Sequence, residues 1–378
     1  MIFPSPCGIN WEKTAIPVNK KRRTGKQDAR ETGMIAQIIS RTISLVLCAV
    51  AGVLAANAAS AQSVEDFYKS KQVSFIIASG PGGGYDTYGR VMARHIGRNI
   101  PGKPTVVAQN MPGADGLQAT NHLYTVALKD GSVIGNTYNT SGFEPLFGSQ
   151  AARFDPMKLS WLGSMGKQDL ACVTWKDSPI KTIADAKAKK TRVSATGASG
   201  NRYIVPQIVN ALIGTQFEVI TGYDTSGAFL AVERGEVDGI CGISYGTLQS
   251  TVPHWLQGKL NFLIQFAAKP HPEFGATPMM GSLVTDPKDK QLLDLVFAMQ
   301  EIGRPIIAPP DLPADRLAAL EKAFNDTMKD PEFLAEAEKS KLEIDHVSGA
   351  ETMAVLKKAY ATPTEIVKRV AQMIGRKE

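Results

Sequence analysis

From residue 73 onward the chain alternates short β-branched runs with longer stretches of helical period, the pattern of an α/β protein with mainly parallel sheets. The strand-like runs are VSFII (73–77), TVVAQ (105–109), SVIGNTY (132–138), ACVTW (171–175), RVSAT (192–196), FEVIT (217–221), VDGIC (237–241) and NFLIQF (261–266). Tyr88, Val91, Met92, His95 and Ile96 recur at i, i+3, i+4, i+7 and i+8, which predicts an amphipathic helix. Leu317, Leu320, Phe324 and Met328 predict a last one, set off by Pro305, Pro309, Pro310 and Pro313 and ending near Asp330 and Pro331. Gly- and Ser-bearing turns stand at matching places in the two halves: SGPGGGYD (79–86) leads one helix and TGASGNRY (196–203) leads another. The repeat predicts two similar lobes around a cleft. No low-complexity linker divides them, so strands that cross between lobes are expected rather than a tether. Lobe 1 is placed at 62–166 plus 291–378 and lobe 2 at 167–290.

The apolar stretch TISLVLCAVAGVLAANAASA (42–61) follows Arg41 and ends in Ala59-Ser60-Ala61, small residues at both positions that a signal peptidase reads. It predicts export with 1–61 removed; an uncleaved anchor is the alternative, since the stretch is long enough to span. Met34 is a second candidate start, and a lipid anchor on Cys48 is disfavoured by the bulky Leu47 before it. This leader changes how the charge is read. The chain is +6 overall, but eight of its 42 Lys/Arg and only three of its 36 Asp/Glu lie in 1–61, leaving 34 basic against 33 acidic side chains. So balanced a remainder lacks the field that phosphate-backbone binding requires, and no nucleic-acid partner is expected. Cys172 and Cys241 lie beyond the leader, in strand-like runs; a disulfide of an exported protein and two buried thiols are both open readings.

The turn at 79–86 is the first candidate site. Its glycines do not fall as G-x-G-x-x-G and no Gly-Lys-Ser/Thr follows, so neither dinucleotide fingerprint nor P-loop is present. A tight turn without a ligand is the plain alternative; the preferred reading is a small anion or carbonyl approaching bare main-chain N–H groups at a helix start. TGASGNRY offers the same chemistry, with the hydroxyls of Thr196 and Ser199, the amide of Asn201 and the charge of Arg202, although Ser199 or Asn201 could simply cap its own helix. Tyr223 and Asp224 join the candidates as the polar end of the FEVIT strand, where open α/β sheets gather ligands. Gly197-Ala198-Ser199-Gly200 is not G-x-S-x-G, no histidine stands out as a base, and neither HExxH nor C-x-x-C occurs. No catalysis, metal or cofactor is expected.

Taken together, SFIIASGPGGGYDTYGRVMARHIG, QNMPGADG (109–116), KDGSVIGNTYNT (129–140), TGASGNRY, GYDTSGAFLAVERGEVDG and IIAPPDLPADRLAALEKAF with MKDPEF resemble the periplasmic solute receptors of tripartite tricarboxylate transporters along nearly the whole chain after the leader. The resemblance implies a type II periplasmic binding fold: two α/β lobes, no enzyme activity, and a small organic carboxylate handed to membrane permease subunits by a monomeric receptor. A receptor feeding a membrane signalling protein, and an enzyme of the same fold, are the competing roles. On this sequence it implies a first-lobe ligand loop of Ser79, Gly82, Gly83, Gly84, Tyr85 and Asp86. Asn139 and Thr140 match polar strand ends, and Ser199, Gly200 and Asn201 match a second-lobe carboxylate cradle with Tyr223 beside it. Two departures stand out: Gly242 where an Asp is common, and Asp115 where a glycine is.

Overall fold

A computed structural model describes residues 63–376; the leader, its cleavage point and Cys48 lie outside the described residues. Eleven strands form two sheets. The first holds β1 (Gln72–Ile77), β2 (Thr105–Asn110), β3 (Val133–Asn136), β4 (Ser160–Ser164), β10 (Pro305–Ala308) and β11 (Val347–Ser348) in the order β11-β4-β10-β3-β1-β2. The second holds β5 (Leu170–Trp175), β6 (Thr191–Ser194), β7 (Phe217–Ile220), β8 (Gly239–Ser244) and β9 (Leu260–Phe266) in the order β7-β6-β8-β5-β9.

With β11 set aside, the two orders are the same. In each lobe the first strand (β1 or β6) lies between the second and third, all three parallel, as βα crossovers require. Beside the third lies a strand that arrives from the other lobe, β10 or β5, antiparallel to both its neighbours. The chain therefore passes between lobes twice, between β4 and β5 and between β9 and β10. These are crossing strands of the kind the absence of a linker predicts. The helix Pro287–Glu301, on the return path, spans the expected 290/291 boundary.

Periodicity foretells most of these elements but misplaces three features. VDGIC begins two residues before β8, because Val237 and Asp238 belong to the turn. β4 and β10 have no alternating pattern: one contains Gly163, and the other opens on Pro305, a position a strand tolerates because no ladder N–H is needed there. The helix Ala314–Thr327 is not the last, for Pro331–Lys339, Gly349–Tyr360 and Thr364–Met373 follow. Pro331 opens a helix at its first position, with Asp330 accepting the amides of Glu332 and Phe333, so the proline starts an element rather than closing one.

Burial explains the rigidity of each lobe. Phe75 and Ile77 of β1 meet Tyr88 and Met92 of the helix Gly84–Ile96 and Phe324 of Ala314–Thr327 in one core. Phe229, Trp255 and Ile240 form another on the far face of the second sheet. A third joins Cys172 and Ile204 of the second lobe to Leu293 and Val296 of the return helix and to Leu356 and Val370 near the carboxyl end. Among the described residues no helix is long and apolar enough to cross a membrane.

Cys172 and Cys241 are disulfide-bonded across β5 and β8, 69 residues apart in sequence. The bridge joins the crossing strand to the parallel part of its sheet. A loop of that length stabilises by about 2–4 kcal/mol. Urea unfolding of the Cys172→Ala/Cys241→Ala protein should show a loss of that size, whereas an unchanged midpoint would show that the bridge contributes nothing.

Candidate functional site

A cavity lies where the two sheets face each other, with a volume of about 60 Å³. Of the residues singled out from sequence, Ser79, Gly83, Gly84, Tyr85, Thr196, Gly200, Asn201 and Arg202 line it. The structure thus brings both glycine-bearing turns to one place.

The remaining candidates stand behind the lining or beside it. Asp86 accepts the Gly82 N–H at 3.0 Å and binds Arg90 and the Asn110 amide, closing the turn on itself. Asn139 is buried: its Oδ1 accepts from Tyr85 Oη and Asn201 Nδ2, and its Nδ2 donates to the Met299 carbonyl. Thr140 is buried too, its Oγ1 without a partner. Ser199 donates its hydroxyl to Glu144 Oε2 at 2.9 Å. Tyr223 packs against the Trp255 core, and Asp224 caps the helix Thr225–Glu233 by accepting the Gly227 N–H at 2.6 Å.

The opening glycines have a geometric cause. A Cβ on Gly83 would lie 2.8 Å from Thr225 Oγ1, and one on Gly84 would lie 2.6 Å from Thr247 Oγ1. Both hydroxyls belong to the second lobe. Side chains at 83 or 84 would hold the lobes apart, so the missing atoms permit lobe-to-lobe approach.

Across that approach runs a polar network. Tyr85 stacks on Tyr138 at 4.3 Å and its hydroxyl donates to Asn139 Oδ1. Gln168, on the first crossover, donates to Tyr85 Oη and to the Gly303 carbonyl and accepts from Asn201 Nδ2. Burial pushes both tyrosine hydroxyls up, so they stay neutral donors at physiological pH.

Sequence reasoning did not find the second guanidinium of the lining, Arg304. Arg304 is 3% exposed, donates from Nη2 to Ser244 Oγ (3.1 Å) and Thr247 Oγ1 (3.0 Å), and lies over the rings of Tyr85 and Tyr88 at 4.6 and 4.5 Å. It forms no ion pair among the described residues, and neither does Arg202, whose Nη1 is buried without a partner. Burial pulls the Arg202 guanidinium down, opposed by the nearby Tyr138 and Asp115. The one acid on the lining is Asp115, whose carboxyl is pushed up by burial against the hydrogen bonds of Ser199 and Gly200. The available signal for Arg304 was a lone basic residue in an apolar context, IGRPIIA (302–308).

The profile of a family described as the tripartite tricarboxylate transporter family receptor matches residues 90–371. Curated protein sequences yield no match. Among solved structures, the periplasmic binding protein BugD is 17% identical with a TM-score of 0.63, over 80% of this chain and 98% of that one. MatC from Rhodopseudomonas palustris, solved with bound malate, is 15% identical with a TM-score of 0.63, over 81% of this chain and 99% of that one. An R. palustris protein solved with adipate is 13% identical with a TM-score of 0.64, over 80% and 98%. These likenesses carry the fold, the two-lobed arrangement of periplasmic binding proteins.

If lobe approach is what Gly83 allows, a side chain there should hold the lobes apart. The folded Gly83→Val protein is expected to show a larger radius of gyration in small-angle X-ray scattering than the wild type. An unchanged radius would contradict the contact.

Proposed function

The chain belongs to the tripartite tricarboxylate transporter receptor family, and from that premise we propose that it is a periplasmic receptor that closes on one small organic carboxylate and delivers it to membrane permease subunits. The observation that carries this reading is the charge balance of the cavity: two guanidiniums, Arg202 and Arg304, without ion-pair partners among the described residues, against the single carboxylate of Asp115. A guest with net negative charge would compensate them. Each hydrogen bond to a charged group contributes about 1.5–3 kcal/mol, and Arg304 can offer more than one. Malate in MatC and adipate in the R. palustris structure are guests of the same chemical class.

The same residues support binding without turnover. Tyr85, Gln168, Asn139 and Asn201 satisfy one another, which fixes the shape of the cavity. Ser199 is not on the lining, and the Glu144 carboxylate that accepts its hydroxyl is held by Arg376. The guest is expected back unchanged.

Titration calorimetry with mono-, di- and tricarboxylates should find an acid whose affinity falls about 10–150-fold in Arg304→Gln, the equivalent of about 1.5–3 kcal/mol. Undiminished binding by that variant would refute the role of Arg304. The same acid should enter membrane vesicles bearing the permease subunits only when the receptor is added.

A further inference from the structure

Asp115 reaches from the first lobe to the start of a second-lobe helix. Its Oδ2 accepts the N–H of Ser199 at 3.0 Å and of Gly200 at 3.1 Å. Those amides open the thirteen-residue helix Asn201–Ile213, the kind of helix start that favours an anion. The surroundings are shaped to this side chain. A Cβ on Gly197 would lie 2.6 Å from Asp115 Oδ2, and one on Gly200 would lie 3.1 Å from Asp115 Oδ1. The backbone of Asp115 is left-handed, with φ 50° and ψ 46°, which Asp tolerates better than most residues.

A second, independent observation concerns the rest of the lining. Arg202 Nη1 and Ser79 Oγ are buried without partners, and Arg304 carries its charge from the first lobe. Anion-binding capacity therefore remains in the cavity after Asp115 has taken the two helix-start amides. Asp115 Oδ1 accepts none of the described hydrogen bonds, although the residue lines the cavity.

We infer that Asp115 is the specificity-determining residue: it fills the second-lobe anion cradle with the protein's own carboxylate, so the site takes a guest with one carboxylate and, at its other end, a hydrogen-bond donor such as an amide, hydroxyl or ammonium. The inference rests on the carboxylate-receptor reading above and narrows it. The carboxylate of the guest meets the arginines, and its donor meets Asp115 Oδ1. A second carboxylate would face the buried Asp115 carboxyl at close range, where like charges repel.

Diacids of four to six carbons and their monoamides, such as succinate and succinamate, differ only at one end and serve as probes. They are titrated calorimetrically into the wild-type protein, Asp115→Gly and Asp115→Asn, with folding followed by circular dichroism. Glycine suits the left-handed backbone and empties the cradle; asparagine keeps the shape and an accepting oxygen but removes the charge. The wild type is expected to favour the monoamide at least tenfold, and both variants to shift that ratio at least tenfold toward the diacid. A wild type that prefers the diacid, or a ratio unchanged in the folded variants, overturns the role of Asp115 while leaving the carboxylate reading intact. If no acid or monoamide of the series binds the folded wild type, both are overturned together.

Discussion

A guanidinium enclosed between two protein lobes imposes a condition on everything around it. Arg304 is buried beside the start of β10, and its neighbours are hydroxyls and aromatic faces rather than acids. Such neighbours orient the group and soften its desolvation but leave its charge uncompensated. The cavity in front of it, shared with Arg202, is thereby matched to an anion. Ser244 and Thr247 come from the second lobe, so the arginine bonds across the lobes.

The glycine-bearing turns serve that approach from both sides. On the first lobe Gly83 and Gly84 leave space for Thr225 and Thr247; on the second, Gly197 and Gly200 leave space for Asp115. Each lobe thus brings bare backbone to the other's polar groups, and the missing side chains let the lobes meet. Asp115 exploits it from within the chain, whereas the first-lobe loop retains an unpartnered Ser79 hydroxyl.

The carboxyl end is drawn into the same assembly. Arg376 pairs with the buried Glu144 at 2.6 Å and donates to the Ala198 carbonyl and the Ser199 hydroxyl. Glu144 lies in the first lobe just after β3, and Ser199 is in the second-lobe turn. Burial pushes the Glu144 carboxyl up, and the Arg376 charge beside it opposes that shift. The pair lies within the first lobe, and its bonds to Ala198 and Ser199 tie it to the second-lobe turn, supported by the cores that the last two helices share with the return helix.

Much of this was legible in one dimension because its cause is local. β-branched runs such as VSFII, the helical period of Tyr88, Val91, Met92 and Ile96, and turns rich in glycine follow from backbone and side-chain preferences over a few residues, and their recurrence in two halves made the duplicated lobes readable. The order of the strands around β10 and β5, the bond between Cys172 and Cys241, and the ion pair of Arg376 with Glu144 join residues tens to hundreds of positions apart, and no local preference encodes them. The roles of Arg304 and Asp115 were hidden for the same reason. Whether an arginine is compensated, or an aspartate free to meet a guest, depends on which charges and amides the fold brings within a few ångströms, and Coulomb forces act through that space rather than along the chain.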